Sequence, residues 1–314
     1  MEKLIITIAP TGNVPTREMT PHVPITPDEI AKEAFACFQE GATVCHIHAR
    51  DMEGKPTHLR NHCQDILRAL DATGARAGKS PEDRAQPLEV NPDSASLSTG
   101  SSNFPNSANV NDPMLIRFLA KTMLERKIKP ELEIFDTAMI QNALELKKEG
   151  LLRDPLQFNL VLGVKGSLPA TAKNLFHLVD TLPHGSVWSV SVIGPSHVSL
   201  STIALALGGH VRVGLEDNIY YSKGVLATNQ SLVKRIVAIA KAFGRDSTAD
   251  LCLAYARGQS FIDGVVVGME TEAQLEVNLA LAARPPLSVA DCAALERRRP
   301  RVPAKLLDPA QWAS

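Results

Sequence analysis

The chain has 314 residues, of which 44% are apolar and 21% charged, and its formal net charge is -1. This length suits one large domain or two ordinary ones, and a balanced charge excludes a global field that would attract nucleic acid or a membrane surface. No apolar run is long enough to span a bilayer, and five scattered cysteines indicate reduced thiols in a cytoplasmic protein.

Short apolar runs alternate with helix-like segments along most of the chain. The start signal at Thr26 is clear, because Pro27 follows at the first helical position with Asp28 and Glu29 in the first turn. The predicted strands are Leu4–Ala9, Thr43–His48, Ala95–Ser98, Glu131–Phe135, Phe158–Leu162, Val187–Val192 and His210–Val213. The predicted helices are Pro27–Gln39, Asp112–Arg126, Thr137–Glu149, Thr171–Thr181, Ser196–Leu207 and Asn229–Phe243.

Seven strands that alternate with helices indicate an α/β fold with a parallel sheet, and polar residues just after the strands favour a (β/α)₈ TIM barrel. The third strand is the difficulty, because only about 35 residues separate His58 from Pro92 and a full unit needs a helix of ~11 residues and a strand of ~5 residues. Either Ile66–Thr73 is this strand and the helix before it is cut, or the strand is missing. We predict that residues 64–80 do not form a normal βα unit.

The C-terminal part changes in composition. We predict a barrel catalytic domain over residues 1–245 and an atypical extension over residues 246–314. The run Arg297-Arg298-Arg299-Pro300 is typical of a solvated surface segment, with anion binding as the alternative.

His46 and His48 stand at the end of a predicted buried strand. Alternate side chains of a strand share a face, so the two imidazoles point the same way, about 6–7 Å apart along the backbone. Two neutral imidazoles on one face can bind one divalent metal ion. The alternative is a pair of hydrogen-bonded polar residues without a ligand.

A second polar group follows the last predicted strand. Adjacent acids at a strand end suit a metal ligand beside a base, and Glu216 would complete a His-His-Glu set with an open position. Arg212 on the same strand can pair with Asp217, orient it or hold a carboxylate. A capping Asp with a surface ion pair is the alternative.

Small and hydroxylic residues follow other strands. The turn Thr99-Gly100-Ser101 offers backbone N–H groups and hydroxyls to an anion, and Thr11-Gly12-Asn13 follows the first strand. Each loop alone is a weak signal, because short loops favour such residues. Their shared position on one rim of the barrel is the stronger one.

Four motifs together resemble the β-keto acid cleavage enzymes, whose founding activity is 3-keto-5-aminohexanoate cleavage. The resemblance covers residues 1–245 in order and spacing and rests on Pro10-Thr11-Gly12-Asn13, His46-Ile47-His48-Ala49-Arg50-Asp51, Ala95-Ser96-Leu97-Ser98-Thr99-Gly100-Ser101 and Gly214-Leu215-Glu216-Asp217-Asn218. It implies a zinc-dependent barrel that forms homotetramers. It also implies a reaction of a 3-oxo acid with acetyl-CoA that gives acetoacetate and a new acyl-CoA.

The resemblance also assigns roles to residues. It implies that Zn²⁺ is held by His46, His48 and Glu216, that Asp217 is the base, and that Arg212 is the partner of this base. It places the substrate against Asn13 and the turn residues Thr99, Gly100 and Ser101.

Two departures from the family pattern affect the expected site. The family's third strand ends in a Ser-Thr-Gly turn whose serine helps catalysis, and the matching place here is Ala72-Thr73-Gly74, which makes Thr73 the candidate catalytic residue. The acid that grips the substrate amine in aminohexanoate-cleaving members is replaced by Val14. An aminated, cationic substrate is therefore not expected.

Three other interpretations of the chain remain open from the sequence. It is compatible with another metal-dependent barrel enzyme, such as an aldolase or a hydrolase, and with a catalytically impaired family member. A pure binding protein would leave two His and an Asp-Glu pair on one rim without a purpose.

Overall fold

The computed structural model describes residues 4–51, 53–69, 81–104, 107–241, 248–258, 265 and 272–292. Contacts between Cα atoms divide the chain into two units, residues 1–239 and 240–314. The predicted domain boundary between residues 245 and 246 stays a prediction. In the described part of the chain, no helix is both long and apolar enough to cross a membrane.

A parallel sheet of seven strands forms the centre of the first unit, in the order β2-β1-β9-β8-β7-β6-β3. Its strands are β1 (Ile6–Ile8), β2 (Val44–Cys45), β3 (Ser94–Ser98), β6 (Lys129–Ile134), β7 (Gln157–Leu162), β8 (Val187–Val192) and β9 (His210–Val213). Two small antiparallel hairpins are β4 (Ser102–Phe104) with β5 (Ser107–Asn109), and β10 (Tyr220–Ser222) with β11 (Val225–Leu226). The predicted parallel α/β architecture of the barrel type is confirmed.

Helices connect these strands. They are α1 (Pro27–Gln39), α2 (Arg60–Ala69), α3 (Pro81–Ala85), α4 (Pro113–Arg126), α5 (Thr137–Lys148), α6 (Ala172–Thr181), α7 (His197–Ala206) and α8 (Asn229–Lys241), with a 3₁₀ helix at Gln86–Val90. The predicted start of α1 is confirmed: the Thr26 hydroxyl accepts from the Glu29 N–H, and the Glu29 carboxylate accepts from the Thr26 N–H. This reciprocal pair satisfies two amide groups that the first helical turn leaves unbonded.

β2 and β3 are the two end strands of the sheet, and among the described residues no strand lies between them. Ile66–Ala69 belongs to helix α2, so the alternative of a strand beginning at Ile66 is wrong. Residues 70–80, which include Thr73, lie outside the described residues. The shortened or missing third strand therefore stays a prediction.

The two faces of the sheet differ in chemistry. Apolar side chains of β6 to β9 belong to the main hydrophobic core, and buried polar side chains alternate with them. Arg212 on β9 approaches Glu133 on β6 across two intervening strands, which places both on the concave inner face. The buried polar residues of these four strands are Glu131, Glu133, Asn159, Ser189, Ser191, His210 and Arg212. The inner face therefore carries polar groups that a purely structural core does not need.

The second unit contains helices α9 (Thr248–Arg257) and α10 (Glu272–Ala282). Arg284 forms an ion pair with the buried Asp250, and Ala254, Leu287 and Cys292 form a small apolar cluster. The run Arg297-Arg298-Arg299-Pro300 lies outside the described residues.

Candidate metal centre

His46 and His48 follow directly after strand β2. The predicted strand Thr43–His48 is wrong in its length, since the paired residues are Val44–Cys45 only. The backbone nevertheless stays beside β1, because the His46 N–H donates to the Ile8 carbonyl (2.8 Å) and the His48 N–H donates to the Thr11 hydroxyl (2.9 Å). Both rings are buried, and their Nε2 atoms lie 3.0 Å apart. The predicted orientation to one side is confirmed.

Glu216 closes the group from the loop after strand β9. Its backbone N–H donates to the Ala9 carbonyl (3.1 Å), and its Oε1 lies 3.3 Å from His48 Nε2 and 3.6 Å from His46 Nε2. One ligand atom from each of these three residues lies within 4.8 Å of the other two. The Oε2 atom of Glu216 is buried without a hydrogen-bond partner in the described structure. This set could hold a metal ion, and two His with one Glu is a donor set that suits zinc.

The protonation states suit metal binding. Burial lowers the pKa of His46 to about 3, and the positive charge of Arg212 adds to this effect. Burial alone would raise the pKa of Glu216, but the Arg212 guanidinium and the two His hold it well below its ordinary value. A neutral imidazole and an ionised carboxylate are the forms in which these side chains bind metals.

Arg212 links the metal-ligand group to Asp217. Its Nε and Nη2 atoms donate to the two carboxylate oxygens of Asp217 (3.1 and 3.0 Å), and Nη2 also donates to Glu216. Burial alone would lower the pKa of the Arg212 guanidinium, but the negative charges of Asp217, Glu216 and Glu131 have the larger effect and raise it. The two-point contact fixes the plane of the Asp217 carboxylate beside the metal-ligand group.

Sequence reasoning missed two carboxylates beneath this group. Glu131 and Glu133 stand two residues apart on β6, and both are buried. Glu131 Oε2 lies 3.7 Å from His46 Nδ1, and Glu133 accepts from the Ser98 hydroxyl (3.3 Å) and lies 3.5 Å from Arg212. The signal was present, since two acids at a spacing of two residues in an otherwise apolar strand must share the face opposite the core.

The turn after strand β3 uses its side chains within the fold. The Thr99 hydroxyl donates to the Met139 carbonyl (2.7 Å), and the Ser101 hydroxyl accepts from the Asn111 N–H (2.9 Å). The Asn111 side-chain amide donates to the Gly100 carbonyl (3.0 Å). Asn13, on the loop after β1, has a buried side-chain oxygen without a partner in the described residues. The proposed substrate roles of these residues stay predictions.

The fold and the site together define a protein of the α/β-barrel type with a candidate metal centre at the carboxyl ends of its strands. The chain belongs to the β-keto acid cleavage enzyme family, because the model of that family matches residues 3–250. A likeness to the solved ternary complex of ObcA with a C4-CoA adduct and oxalate, at a TM-score of 0.60 and 22% identity, supports the fold. This likeness covers 71% of the chain and 65% of the ObcA chain.

Two relatives illustrate the range of the family. The chain is 39% identical over 259 residues to the 3-keto-5-aminohexanoate cleavage enzyme of Fusobacterium nucleatum, an alignment that covers 78% of the chain and 94% of the relative. It is 36% identical over 256 residues to the 3-oxoadipate:acetyl-CoA acetyltransferase of Cupriavidus necator, with 77% and 89% covered.

Proposed function

We propose that this chain is a zinc-dependent β-keto acid cleavage enzyme that converts a 3-oxo acid and acetyl-CoA into acetoacetate and a new acyl-CoA. The observation that carries the proposal is the convergence of His46, His48 and Glu216 beside a carboxylate, Asp217, that Arg212 holds at two points. The printed names of relatives, among them 3-oxoadipate:acetyl-CoA acetyltransferase and 3,5-dioxohexanoate:acetyl-CoA acetone transferase, support the same class of reaction.

The charge of the buried site supports a divalent cation. Four carboxylates converge there: Arg212 forms ion pairs with Glu133, Glu216 and Asp217, and Glu131 lies 3.7 Å from His46 Nδ1. Buried charge is costly, and the Oε2 atom of Glu216 has no hydrogen-bond partner in the described structure, so a divalent ion between His46, His48 and Glu216 would stabilise that carboxylate. When bound, such an ion supplies Lewis-acid polarisation of the 3-oxo group.

The chain's own residues account for the remaining steps. Asp217 takes a proton from C2 of the 3-oxo acid, and the carbanion at C2 attacks the thioester carbonyl of acetyl-CoA, which releases the CoA thiolate. The thiolate then attacks C3, the C2–C3 bond breaks, and C2 recovers its proton from Asp217. Arg212 keeps the Asp217 carboxylate in the plane that this transfer needs.

We assign the substrate carboxylate to the turn of Thr99, Gly100 and Ser101, and we assign a further substrate contact to Asn13. Because the two hydroxyls of this turn are bonded within the fold, its backbone N–H groups are the donors that we assign to the carboxylate. Thr73, the other candidate catalytic residue, stays a prediction. The homotetrameric state and the cytoplasmic location also stay predictions.

The substrate is a keto acid whose side chain is neutral or apolar. Val14 follows Asn13 on the first loop, and an isopropyl group cannot pair with an ammonium ion. Kinetics on matched 3-oxo acids test this proposal. We expect an alkyl analogue to be the better substrate, and a clear preference for the 5-amino compound would overturn the assignment.

A screen of 3-oxo acids in the presence and absence of acetyl-CoA tests the reaction class. We expect acetoacetate and a new acyl-CoA to form together, and only when acetyl-CoA is present. Cleavage without acetyl-CoA would instead indicate a metal-dependent aldolase or hydrolase. A lack of turnover across the screen, in protein that binds metal, would indicate an impaired member of the family.

A further inference from the structure

Arg50 is a buried cation whose hydrogen bonds within the described structure all go to backbone carbonyls. Its side chain is 4% exposed, and among the described residues it forms no ion pair. Its Nη2 atom donates to the carbonyls of Gly12 (2.6 Å), Pro15 (2.8 Å) and Thr11 (3.2 Å), and its Nη1 atom donates to the carbonyl of Gly54 (2.8 Å). Burial of a guanidinium is costly, and three carbonyls of one short loop that converge on a single nitrogen fix the conformation of that loop.

The loop that Arg50 holds, residues 11–15, contacts two of the three candidate metal ligands. The Thr11 hydroxyl accepts from the His48 N–H (2.9 Å). Gly12 has a φ of 62°, and a Cβ atom built there would lie 2.6 Å from Cγ of Glu216. The loop backbone therefore packs directly on the Glu216 side chain, and it also carries Asn13 and Val14.

We propose that Arg50 is a positioning residue that couples the substrate loop, residues 11–15, to the metal centre. It acts through Thr11 on His48 and through Gly12 on Glu216, so a looser loop would release two ligands and the substrate-facing residues together. The proposal deepens the proposed function and rests on it for the roles of metal and substrate.

The tests use Arg50→Lys and Arg50→Met. A lysine keeps the charge and can bond some of the loop carbonyls, but it cannot reach both the loop and Gly54 as the planar fork does. The control is Arg17→Lys. Arg17 is exposed and pairs with Glu29 through both carboxylate oxygens (2.6 Å).

We expect Arg50→Lys to bind Zn²⁺ about tenfold more weakly than the wild type, as replacement of residues that support metal ligands does elsewhere. We also expect the KM for the 3-oxo acid to rise about tenfold while the KM for acetyl-CoA stays within about twofold. Arg50→Met should bind Zn²⁺ still more weakly and have a still higher KM for the 3-oxo acid, and Arg17→Lys should behave as the wild type. If Arg50 were merely structural, its replacement would lower the unfolding temperature without this selective change in KM.

Amide hydrogen exchange of residues 11–16 in the metal-free protein separates this inference from the proposed function. We expect faster exchange of these amides in Arg50→Lys than in the wild type and in Arg17→Lys. Unchanged exchange, or Zn²⁺ affinity and KM values equal to those of the wild type, would overturn the role of Arg50. A wild-type protein that binds no divalent metal and cleaves no keto acid would overturn the proposed function instead.

Discussion

Arg212 connects the two chemical parts of the candidate site. It contacts the metal-ligand candidate Glu216, and it holds Asp217 by two hydrogen bonds from the same guanidinium. Because Arg212 is itself buried, loss of its contact with either acid would disturb a charge in the interior. Asp217 and Arg212 can each be tested by a conservative substitution.

Asp217→Asn should abolish turnover while metal stays bound. The amide keeps the shape of the carboxylate but cannot take a proton, so kcat should fall by about 10³-fold. Steady-state kinetics and elemental analysis of the same sample measure both quantities. Full activity in this variant would show that Asp217 has a structural role only.

Arg212→Lys should also lower kcat, although the charge is preserved. An ammonium group cannot reproduce the two-point contact with Asp217, so the carboxylate loses its fixed plane and kcat should fall by about 10²-fold. A variant with wild-type kinetics would contradict the role of this contact.

At the scale of elements, the loop after β9 is constrained by close contact with the backbone of Ala9. Gly214 has a φ of 151°, and a Cβ atom built there would lie 2.0 Å from the Ala9 carbonyl oxygen. The adjoining loop residues Glu216 and Asp217 depend on this close approach, because the Glu216 N–H donates to the same Ala9 oxygen.

Gly214→Ala should therefore lower the free energy of unfolding by about 3 kcal/mol and displace the acids that follow. Gly150→Ala is the matched control: Gly150 has a φ of 77°, but no atom of the described residues lies within 4 Å of a Cβ atom built there, so its cost should be about 1 kcal/mol. Chemical denaturation of both variants gives the comparison. Equal losses would mean that the contact with Ala9 is unimportant.

A histidine at the start of α7 should make stability depend on pH. His197 Nε2 accepts from Arg235 Nη1 (2.9 Å), and Nδ1 donates to the Gly194 carbonyl (3.0 Å), an arrangement that needs a neutral ring. Burial lowers the pKa of His197, and Arg235 adds to this shift. As the pH drops through about 6.5, the ordinary pKa of histidine, His197 takes up a proton in the unfolded chain but not yet in the folded chain. The folded protein therefore becomes less stable as the pH decreases.

The fall in unfolding temperature between about pH 7.5 and about pH 5.5 should be smaller in His197→Gln than in the wild type, because glutamine can accept the Arg235 hydrogen bond without titrating. Thermal unfolding of the metal-free proteins at the two pH values measures this difference. An identical fall in both proteins would rule out His197 as a contributor.

Local sequence signals predicted most helices closely, because side-chain caps mark where they begin. Asp112, Asp136 and Thr171 cap the helices that follow them, each within a residue of the predicted start. Strand β2 was predicted too long, because the apolar run continues through Ile47, whereas the amides beyond Cys45 bond to Ile8 and Thr11 outside a regular ladder. Burial alone does not mark where a strand stops.

Contacts between distant segments limited the prediction of the site. The set of His46, His48 and Glu216 was accessible from the sequence, because each residue follows a strand and such ends meet at one rim. The hydrogen bonds of Thr99 with Met139 and of Ser101 with Asn111 could not be predicted, since nothing in the local sequence identifies those partners. The role of Arg50 was missed for the same reason.

At the scale of the whole molecule, a sheet with a nearly continuous polar inner face carries the candidate metal centre. A protein with a net charge of only -1 gathers four acids in this interior, and Arg212 forms ion pairs with three of them. A bound divalent ion would add positive charge beside these acids. The proposed reaction therefore depends on metal binding at this site.

Metal binding at this site is tested by the metal content of the purified wild type and of His48→Ala, by elemental analysis and by titration with Zn²⁺. His177→Ala, which removes an exposed imidazole on α6, is the control. The proposed metal centre predicts one divalent ion per chain in the wild type and in the control, and loss of that ion in His48→Ala. Equal metal in all three proteins, or none in the wild type, would contradict it.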